Sequence, residues 1–219
     1  NASANGATIT LTSNVTESVT VPVGKTITLD LNGKNVTNTE GQNTITNKGT
    51  LTIIGEGVVD NTSNQKAALY NYGTMYVYGG SYTRSLETGA NPSEGGANTY
   101  YNIKNLGHMT IAENAESKVS VTQSGKYSSL VVNGYYNVNE YNAQIGNVTT
   151  EDKVPTLVIN GGYYSGGIIT VKVDDRGVAT INGGTFTNVT QNVVQNNNVL
   201  TINGGEFNGD GTAEQTILT

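Results

Sequence analysis

Tyrosine is the residue of this sequence whose type and spacing best suit ligand binding. The chain has 13 tyrosines. Four of them alternate with apolar or amide residues: Tyr70, Tyr72, Tyr76 and Tyr78 against Leu69, Asn71, Met75 and Val77. Alternate side chains of a strand lie on opposite faces, so we expect these tyrosines to point outward. Exposed phenol rings stack on sugar faces and offer a hydroxyl for hydrogen bonds. The predicted saccharide-binding surface comprises Tyr70, Tyr72, Tyr76, Tyr78, Tyr101, Tyr135, Tyr141, Arg84 and Glu87.

A second group with chemical potential is the charged run that holds Lys172, Asp174 and Asp175. These are the residues that we would assign to catalysis if the chain were an enzyme. The two aspartates are adjacent, so on a strand they point to opposite faces, and we expect Asp175 to turn inward at a bend. Calcium prefers six to eight oxygen ligands. We therefore predict no bound metal or other cofactor, with calcium as the alternative.

Composition excludes several other kinds of chemistry. The chain lacks cysteine and has one histidine, His108. Thiol catalysis, cysteine metal sites and multi-histidine zinc sites are therefore excluded, and a Ser-His-Asp triad is disfavoured. A net charge of −6 without a basic run argues against nucleic acid as a partner. No apolar stretch approaches about 20 residues, so we expect no membrane insertion.

An internal repeat predicts the fold. The 219 residues include 30 Asn, 32 Thr and 28 Gly, which favour strands and turns over helices. A phrase such as Thr-Leu-Val-Ile-Asn-Gly-Gly recurs with apolar residues two positions apart. Its copies begin their apolar series at Ile27, Leu51, Met75, Met109, Leu130, Leu157, Ala179 and Leu200. Each period has room for three short strands and none for a crossover helix. We therefore predict an all-β fold, a single right-handed parallel β-helix of about 8–9 coils of 21–24 residues.

Two columns of equivalent residues support this prediction. Stacked amides in one bend can hydrogen-bond from coil to coil. The predicted ladder comprises Asn47, Asn71, Asn105 and Asn196, with Asp175 in the same slot. The predicted aromatic column comprises Tyr82, Tyr164, Phe186 and Phe207.

Departures from the period predict the layout of one domain over residues 1–219. We expect residues 1–23 to cap the first coil and residues 208–219 to form the C-terminal end or a linker. The longer gaps place inserted loops at 84–98 and 137–153, where function is expected on a solenoid. The alternative for each loop is a solvated turn. Because Asn1 is not a natural start, we expect the chain to be part of a longer protein.

The segment Gly-Lys-Thr-Ile-Thr-Leu-Asp-Leu-Asn-Gly-Lys at 24–34 and the recurring Leu-Thr-Ile-Asn-Gly-Gly-x-Phe resemble known β-helix regions. These belong to secreted surface proteins of gut Gram-positive bacteria and are similar in fold to the pectin-lyase-like superfamily. The resemblance covers residues 8–207 and implies an extracellular protein, secreted or attached to the cell wall. The matching residues are scaffold residues, so the resemblance assigns no catalytic position. The paired aspartates resemble one piece of the polygalacturonase pattern, but His108 lies in Gly-His-Met and not between two glycines, and no matching Arg-x-Lys follows.

Three functions are consistent with this sequence. We predict a non-catalytic domain that binds a polysaccharide or glycan, or that adheres to a host surface protein. The first alternative is a polysaccharide lyase or glycoside hydrolase, and the second is a passive stalk, because one fold can carry all three functions.

Overall fold

The computed structural model describes residues 4–89, 101–188, 190–209 and 215–218, and strands make up 50% of these residues. The described strands form three parallel sheets of eight strands each. Sheet A comprises β1 (Ala7–Thr10), β4 (Thr26–Asp30), β7 (Thr50–Ile54), β10 (Thr74–Val77), β13 (His108–Ile111), β16 (Thr156–Ile159), β19 (Val178–Ile181) and β22 (Val199–Ile202). Sheet B comprises β2 (Val15–Thr16), β5 (Lys34–Thr37), β8 (Gly57–Asp60), β11 (Gly80–Thr83), β14 (Val119–Gln123), β17 (Tyr163–Gly166), β20 (Thr185–Asn188) and β23 (Glu206–Gly209). Sheet C comprises β3 (Val19–Val21), β6 (Ile45–Asn47), β9 (Leu69–Asn71), β12 (Tyr101–Asn105), β15 (Ser129–Asn133), β18 (Ile169–Val173), β21 (Asn192–Asn196) and β24 (Gln215–Leu218).

This arrangement confirms the predicted parallel β-solenoid, with eight coils. Each coil contributes one strand to each sheet, and equivalent strands pair in parallel from coil to coil. Apolar side chains of all three sheets fill one continuous core, in which Leu51, Met75 and Ile159 are almost completely buried. The burial of such side chains is the main force that holds the coils together.

One copy of the repeat was assigned to the wrong sheet. The inward column of sheet A runs Ala7, Ile27, Leu51, Met75, Met109, Leu157, Ala179 and Leu200. Leu130 does not belong to it, because Leu130 lies in β15 of sheet C. Met109 and Leu157 are therefore equivalent residues of adjacent coils, although 48 positions separate them.

The asparagine ladder exists, with a different membership at one end. Asn47 Nδ2 donates to Asn71 Oδ1 over 2.8 Å, and Asn71 Nδ2 donates to Asn105 Oδ1 over 2.8 Å. Asn105 Nδ2 then donates to Asn133 Oδ1 over 2.7 Å. The prediction of Asp175 in this column was wrong, because Val173 pairs with Asn133 on one side and with Asn196 on the other.

The aromatic column is also partly as predicted. Phe186 stacks between Tyr164 and Phe207, with ring centroids 4.6 and 5.0 Å away. Val121 interrupts the column between Tyr82 and Tyr164. Both tyrosine hydroxyls donate to backbone carbonyls, that of Tyr82 to Gly79 and that of Tyr164 to Gly161.

The segments that were predicted as a cap, as inserted loops or as the C-terminal end differ from one another in structure. Residues 7–21, expected within a cap, supply β1, β2 and β3 and thus a complete first coil. Residues 206–209 and 215–218 supply β23 and β24, which pair with the preceding coil. Of the expected loop 84–98, residues 90–98 lie outside the described residues. The expected loop 137–153 contains the helix α1 (Val138–Gln144) and a 3₁₀ turn (Ile145–Asn147).

Candidate functional site

The insert between β15 and β16 folds back over the outer face of sheet C. Asn137 caps α1, because its side chain accepts hydrogen bonds from the backbone N–H groups of Asn139 and Glu140. The Glu140 carboxylate in turn accepts from the backbone N–H of Tyr136, 2.5 Å away. The two bonds to Asn137 satisfy N–H groups of the first helical turn, which have no partner within the helix. The insert is therefore an ordered element, and the alternative of a solvated turn was wrong here.

The insert covers most of the tyrosines that were expected to face solvent. A second apolar cluster, the tyrosine cluster, lies between sheet C and the insert. It comprises Ala67, Tyr70, Leu106, Tyr135 and Val148, with Tyr72, Tyr101, Tyr141 and Ile145 packed against it. These tyrosines do point away from the solenoid core, but Tyr70 and Tyr135 are buried. Their chief role is to dock the insert on the sheet.

Polar and charged contacts reinforce this docking. The Tyr72 hydroxyl donates to Gln144 Oε1 over 2.8 Å, and the Arg176 guanidinium lies 3.8 Å from the centroid of the Tyr141 ring. Burial raises the pKa of Tyr70, and burial together with neighbouring Tyr141 raises the pKa of Tyr135 to about 12. Among the residues that the structure describes, the buried Tyr135 hydroxyl finds no hydrogen-bond partner. These phenols thus stay neutral at physiological pH.

The remaining predicted binding residues lie elsewhere. Tyr76 and Tyr78 are half-buried and pack against each other, with ring centroids 5.7 Å apart. Arg84 and Glu87 are buried and form an ion pair, with Arg84 Nε 3.2 Å from Glu87 Oε2. Arg84 also donates to the carbonyl of Ser63 over 2.7 Å. Such a buried, fully engaged pair does not present its charges at the surface, and the assignment of Arg84 and Glu87 to ligand binding stays a prediction.

A groove with a volume of about 680 Å³ lies beside the insert, on the outer face of sheet C. Its floor crosses four neighbouring strands, β12, β15, β18 and β21, which span roughly 14 Å at about 4.8 Å per strand. The lining residues are Tyr101, Lys104, Tyr127, Ser129, Val132, Tyr136, Asn137, Glu140, Ile168, Ile169, Lys172, Asp174, Gln191 and Gln195. The groove thus combines aromatic, apolar and hydrogen-bonding side chains.

Two ion pairs lie within this groove. Lys104 Nζ is 3.0 Å from Glu140 Oε2, and Lys172 Nζ is 2.9 Å from Asp174 Oδ1. Lys104 is almost completely buried, and burial lowers its pKa while Glu140 and Asp174 oppose that change. Each lysine also lies over a tyrosine ring, with Lys172 5.4 Å from the centroid of Tyr136. Each cation is thus held between a carboxylate and an aromatic ring.

The structure separates the two candidate catalytic aspartates. Asp174 is buried and lines the groove with Lys172. Asp175 is exposed, and its carboxylate lies 3.9 Å from Arg176 Nε. The expectation that Asp175 turns inward was wrong, because the inward position of this coil belongs to Val173. His108 pairs with Asp152 of the insert, its Nε2 2.8 Å from Oδ1.

Lys104, Tyr127 and Gln195 are groove residues that sequence reasoning missed. The signal for two of them was present, since Lys104, Val132, Lys172 and Gln195 occupy one column of sheet C. In each strand the next residue belongs to the column that contains Asn105 and Asn133. The correct membership of the asparagine ladder would therefore have placed both lysines on the same outer face.

The described ranges contain neither a cluster of potential metal ligands nor a long apolar helix. Among residues 4–89, 101–188, 190–209 and 215–218, no three His, Cys, Asp or Glu side chains come together as metal ligands would. No helix of these same ranges has the length and apolarity that crossing a membrane requires.

Comparison of the chain with protein-family models, with curated proteins and with solved structures finds no match. Its function must therefore be argued from the groove and its chemistry.

Proposed function

We propose that this chain is a non-catalytic carbohydrate-binding or adhesion domain that holds a glycan in the groove beside the insert. The domain is extracellular, secreted or attached to the cell wall, and its solenoid is of the pectin-lyase-like kind. In this proposal the insert builds the site, and the tyrosine cluster beneath it keeps the insert in place.

The observation that carries the proposal is the exposed ring of Tyr136 at the edge of this groove. Tyr136 is 71% exposed, which makes it the most exposed tyrosine among the described residues. Ser129, Asn137, Gln191 and Gln195 line the same groove and offer both donors and acceptors. An aromatic ring beside such groups is the combination that sugar recognition needs.

The length of the groove fits an extended ligand. Its floor crosses four strands along the solenoid axis, so a short oligosaccharide can lie across them. Because sheets and turns hold the floor and α1 holds the wall, the site is formed before binding, which reduces the entropy cost of association.

The test is binding of the labelled protein to an array of polysaccharides, with and without calcium, followed over time. We expect stable spots that Tyr136→Ala weakens about tenfold or more. Tyr163→Ala is the matched control, because Tyr163 is 48% exposed but lies in β17 of sheet B, away from the groove. A spot that erodes would show cleavage and contradict a non-catalytic domain. An array without spots would overturn the proposal.

A further inference from the structure

We infer that the groove selects uncharged glycans and rejects polysaccharides of uronic acids. This inference rests on the proposed function and names the class of its ligand. The feature that carries it is the pairing of every charged side chain among the described residues that line the groove.

The described lining of the groove presents two cations and two carboxylates, which form two ion pairs. Lys104 pairs with Glu140, and Lys172 pairs with Asp174, each at 3.0 Å or less. The two pairs are close enough for Asp174 and Lys172 to act electrostatically on Lys104. The described lining is therefore neutral as a whole, although it is rich in charge.

Among the described residues of the lining, an acidic sugar meets no cation that lacks a carboxylate partner. Its carboxylate would have to bind beside Glu140 or Asp174, each of which already neutralises a lysine, so two carboxylates would face each other across one ammonium. Lys104 is 1% exposed and Asp174 is 4% exposed, so this repulsion would be only weakly screened by water.

A neutral sugar meets the opposite situation. Its hydroxyls accept from a lysine ammonium and donate to a carboxylate without disrupting either ion pair, and hydrogen bonds to charged groups are stronger than neutral ones. Neither ion pair has to separate when the neutral sugar binds. The same side chains that exclude a uronate thus favour a polyhydroxylated, uncharged chain.

The direct experiment measures the affinity of oligosaccharides in matched pairs that differ only in the carboxylate. We would use hexasaccharides of galactose and galacturonic acid, of glucose and glucuronic acid, and of mannose and mannuronic acid. We expect at least one neutral member to bind, its acidic partner to bind at least about tenfold more weakly, and the neutral affinity to change little with salt.

Asp174→Asn provides a charge switch in the same experiment. The substitution leaves Lys172 with a neutral amide, so we expect the acidic member of the binding pair to gain about tenfold in affinity. Asp175→Asn is the matched control, because Asp175 is exposed and does not line the groove, and we expect no change.

The outcomes separate this inference from the proposed function. Tighter binding of an acidic member by the wild-type protein would overturn the neutral selectivity and leave glycan binding intact. Equal gains with Asp174→Asn and Asp175→Asn would also overturn it, because a general change of charge would then be the cause. Binding of none of the six hexasaccharides would overturn both proposals.

Discussion

Lys104 Nζ lies 3.0 Å from Glu140 Oε2, across the boundary between sheet C and the insert. The lysine comes from β12 of the solenoid and is 1% exposed, whereas the glutamate comes from α1 and its side chain is 20% exposed. This pair therefore joins the floor of the groove to its wall. The two partners differ in burial, so their removal should have unequal consequences.

Glu140→Gln should destabilise the protein by about 3 kcal/mol, because it removes the carboxylate that pairs directly with the buried Lys104 ammonium. Lys104→Met should cost only about 1 kcal/mol, since the released Glu140 carboxylate can turn to water and the methionine fills the same space. The free energy of unfolding in urea measures both. A larger cost for Lys104→Met than for Glu140→Gln would contradict this account of the pair.

The asparagine ladder should be a major source of stability. Asn71 is completely buried, donates to Asn105 and to the carbonyls of Gly73 and His108, and accepts from Asn47. Asn71→Ala would leave several buried polar groups without partners, and we expect a loss of about 3 kcal/mol in the free energy of unfolding.

The matched control for the ladder is Asn196→Ala. Asn196 occupies the same column, but its neighbour there is Val173 and its own side chain is partly exposed. We expect Asn196→Ala to cost less than about 1 kcal/mol. Similar costs at the two positions would show that the amide-to-amide bonds contribute little.

Close backbone contact between two neighbouring coils should make Gly73 intolerant of a side chain. A Cβ at Gly73 would lie 2.2 Å from the carbonyl oxygen of Gly49, which is backbone and cannot move aside. We expect Gly73→Ala to prevent folding or to lower the free energy of unfolding by more than about 4 kcal/mol. Gly146→Ala in the insert has nothing within 4 Å, and we expect it to be neutral or slightly stabilising. Circular dichroism and urea unfolding of both variants decide the matter, and a folded, fully stable Gly73→Ala protein would contradict the stacking.

Alkaline pH should destabilise the protein through its buried phenols. Burial is the largest cause of a raised pKa at Tyr70, Tyr72, Tyr78, Tyr82, Tyr135 and Tyr164. In the unfolded chain a tyrosine has a pKa of about 10, so above that pH the unfolded state loses protons that the folded state retains. The stability that these groups contribute is thus complete below about pH 10 and declines as the pH rises further.

Phenolate absorbance measured against pH tests this directly. In the native protein we expect the tyrosines with a raised pKa to titrate late, after the others or only on unfolding. In urea all 13 tyrosines should titrate together near pH 10. A native titration that matches the one in urea would contradict the burial of these rings.

The solenoid could be predicted from the sequence because every coil repeats the same local requirement. An inward apolar pair, a turn amide and a glycine recur at nearly constant spacing, and each coil buries its core only against its neighbours. The limit of this reasoning appears at β15. Its Ser-Leu-Val-Val-Asn-Gly is almost the same as the Thr-Leu-Val-Ile-Asn-Gly of β16, yet the two strands belong to different sheets. The sheet that a strand joins depends on its pairing with strands of adjacent coils, and the local sequence does not determine that pairing.

The site was harder to predict than the fold for a related reason. The alternation that placed Tyr70 and Tyr72 on the outer side was correct for the solenoid alone. The packing of the insert over them depends on contacts between residues far apart in sequence, such as Tyr72 with Gln144. The surface that we propose for binding is therefore the groove that the insert forms with the next strands, in place of the tyrosines beneath the insert.

The most direct test of the central claim uses the absence of tryptophan from the chain. Tyr136→Trp places a single fluorophore at the groove, and Tyr163→Trp places one on sheet B. Each variant is titrated with the oligosaccharide that the array identifies. The account predicts a saturable change in emission from Trp at 136 only, with the same dissociation constant as the unmodified protein. Unchanged emission at 136 under conditions where the glycan is bound, or a change at 163 instead, would contradict the placement of the site in the groove.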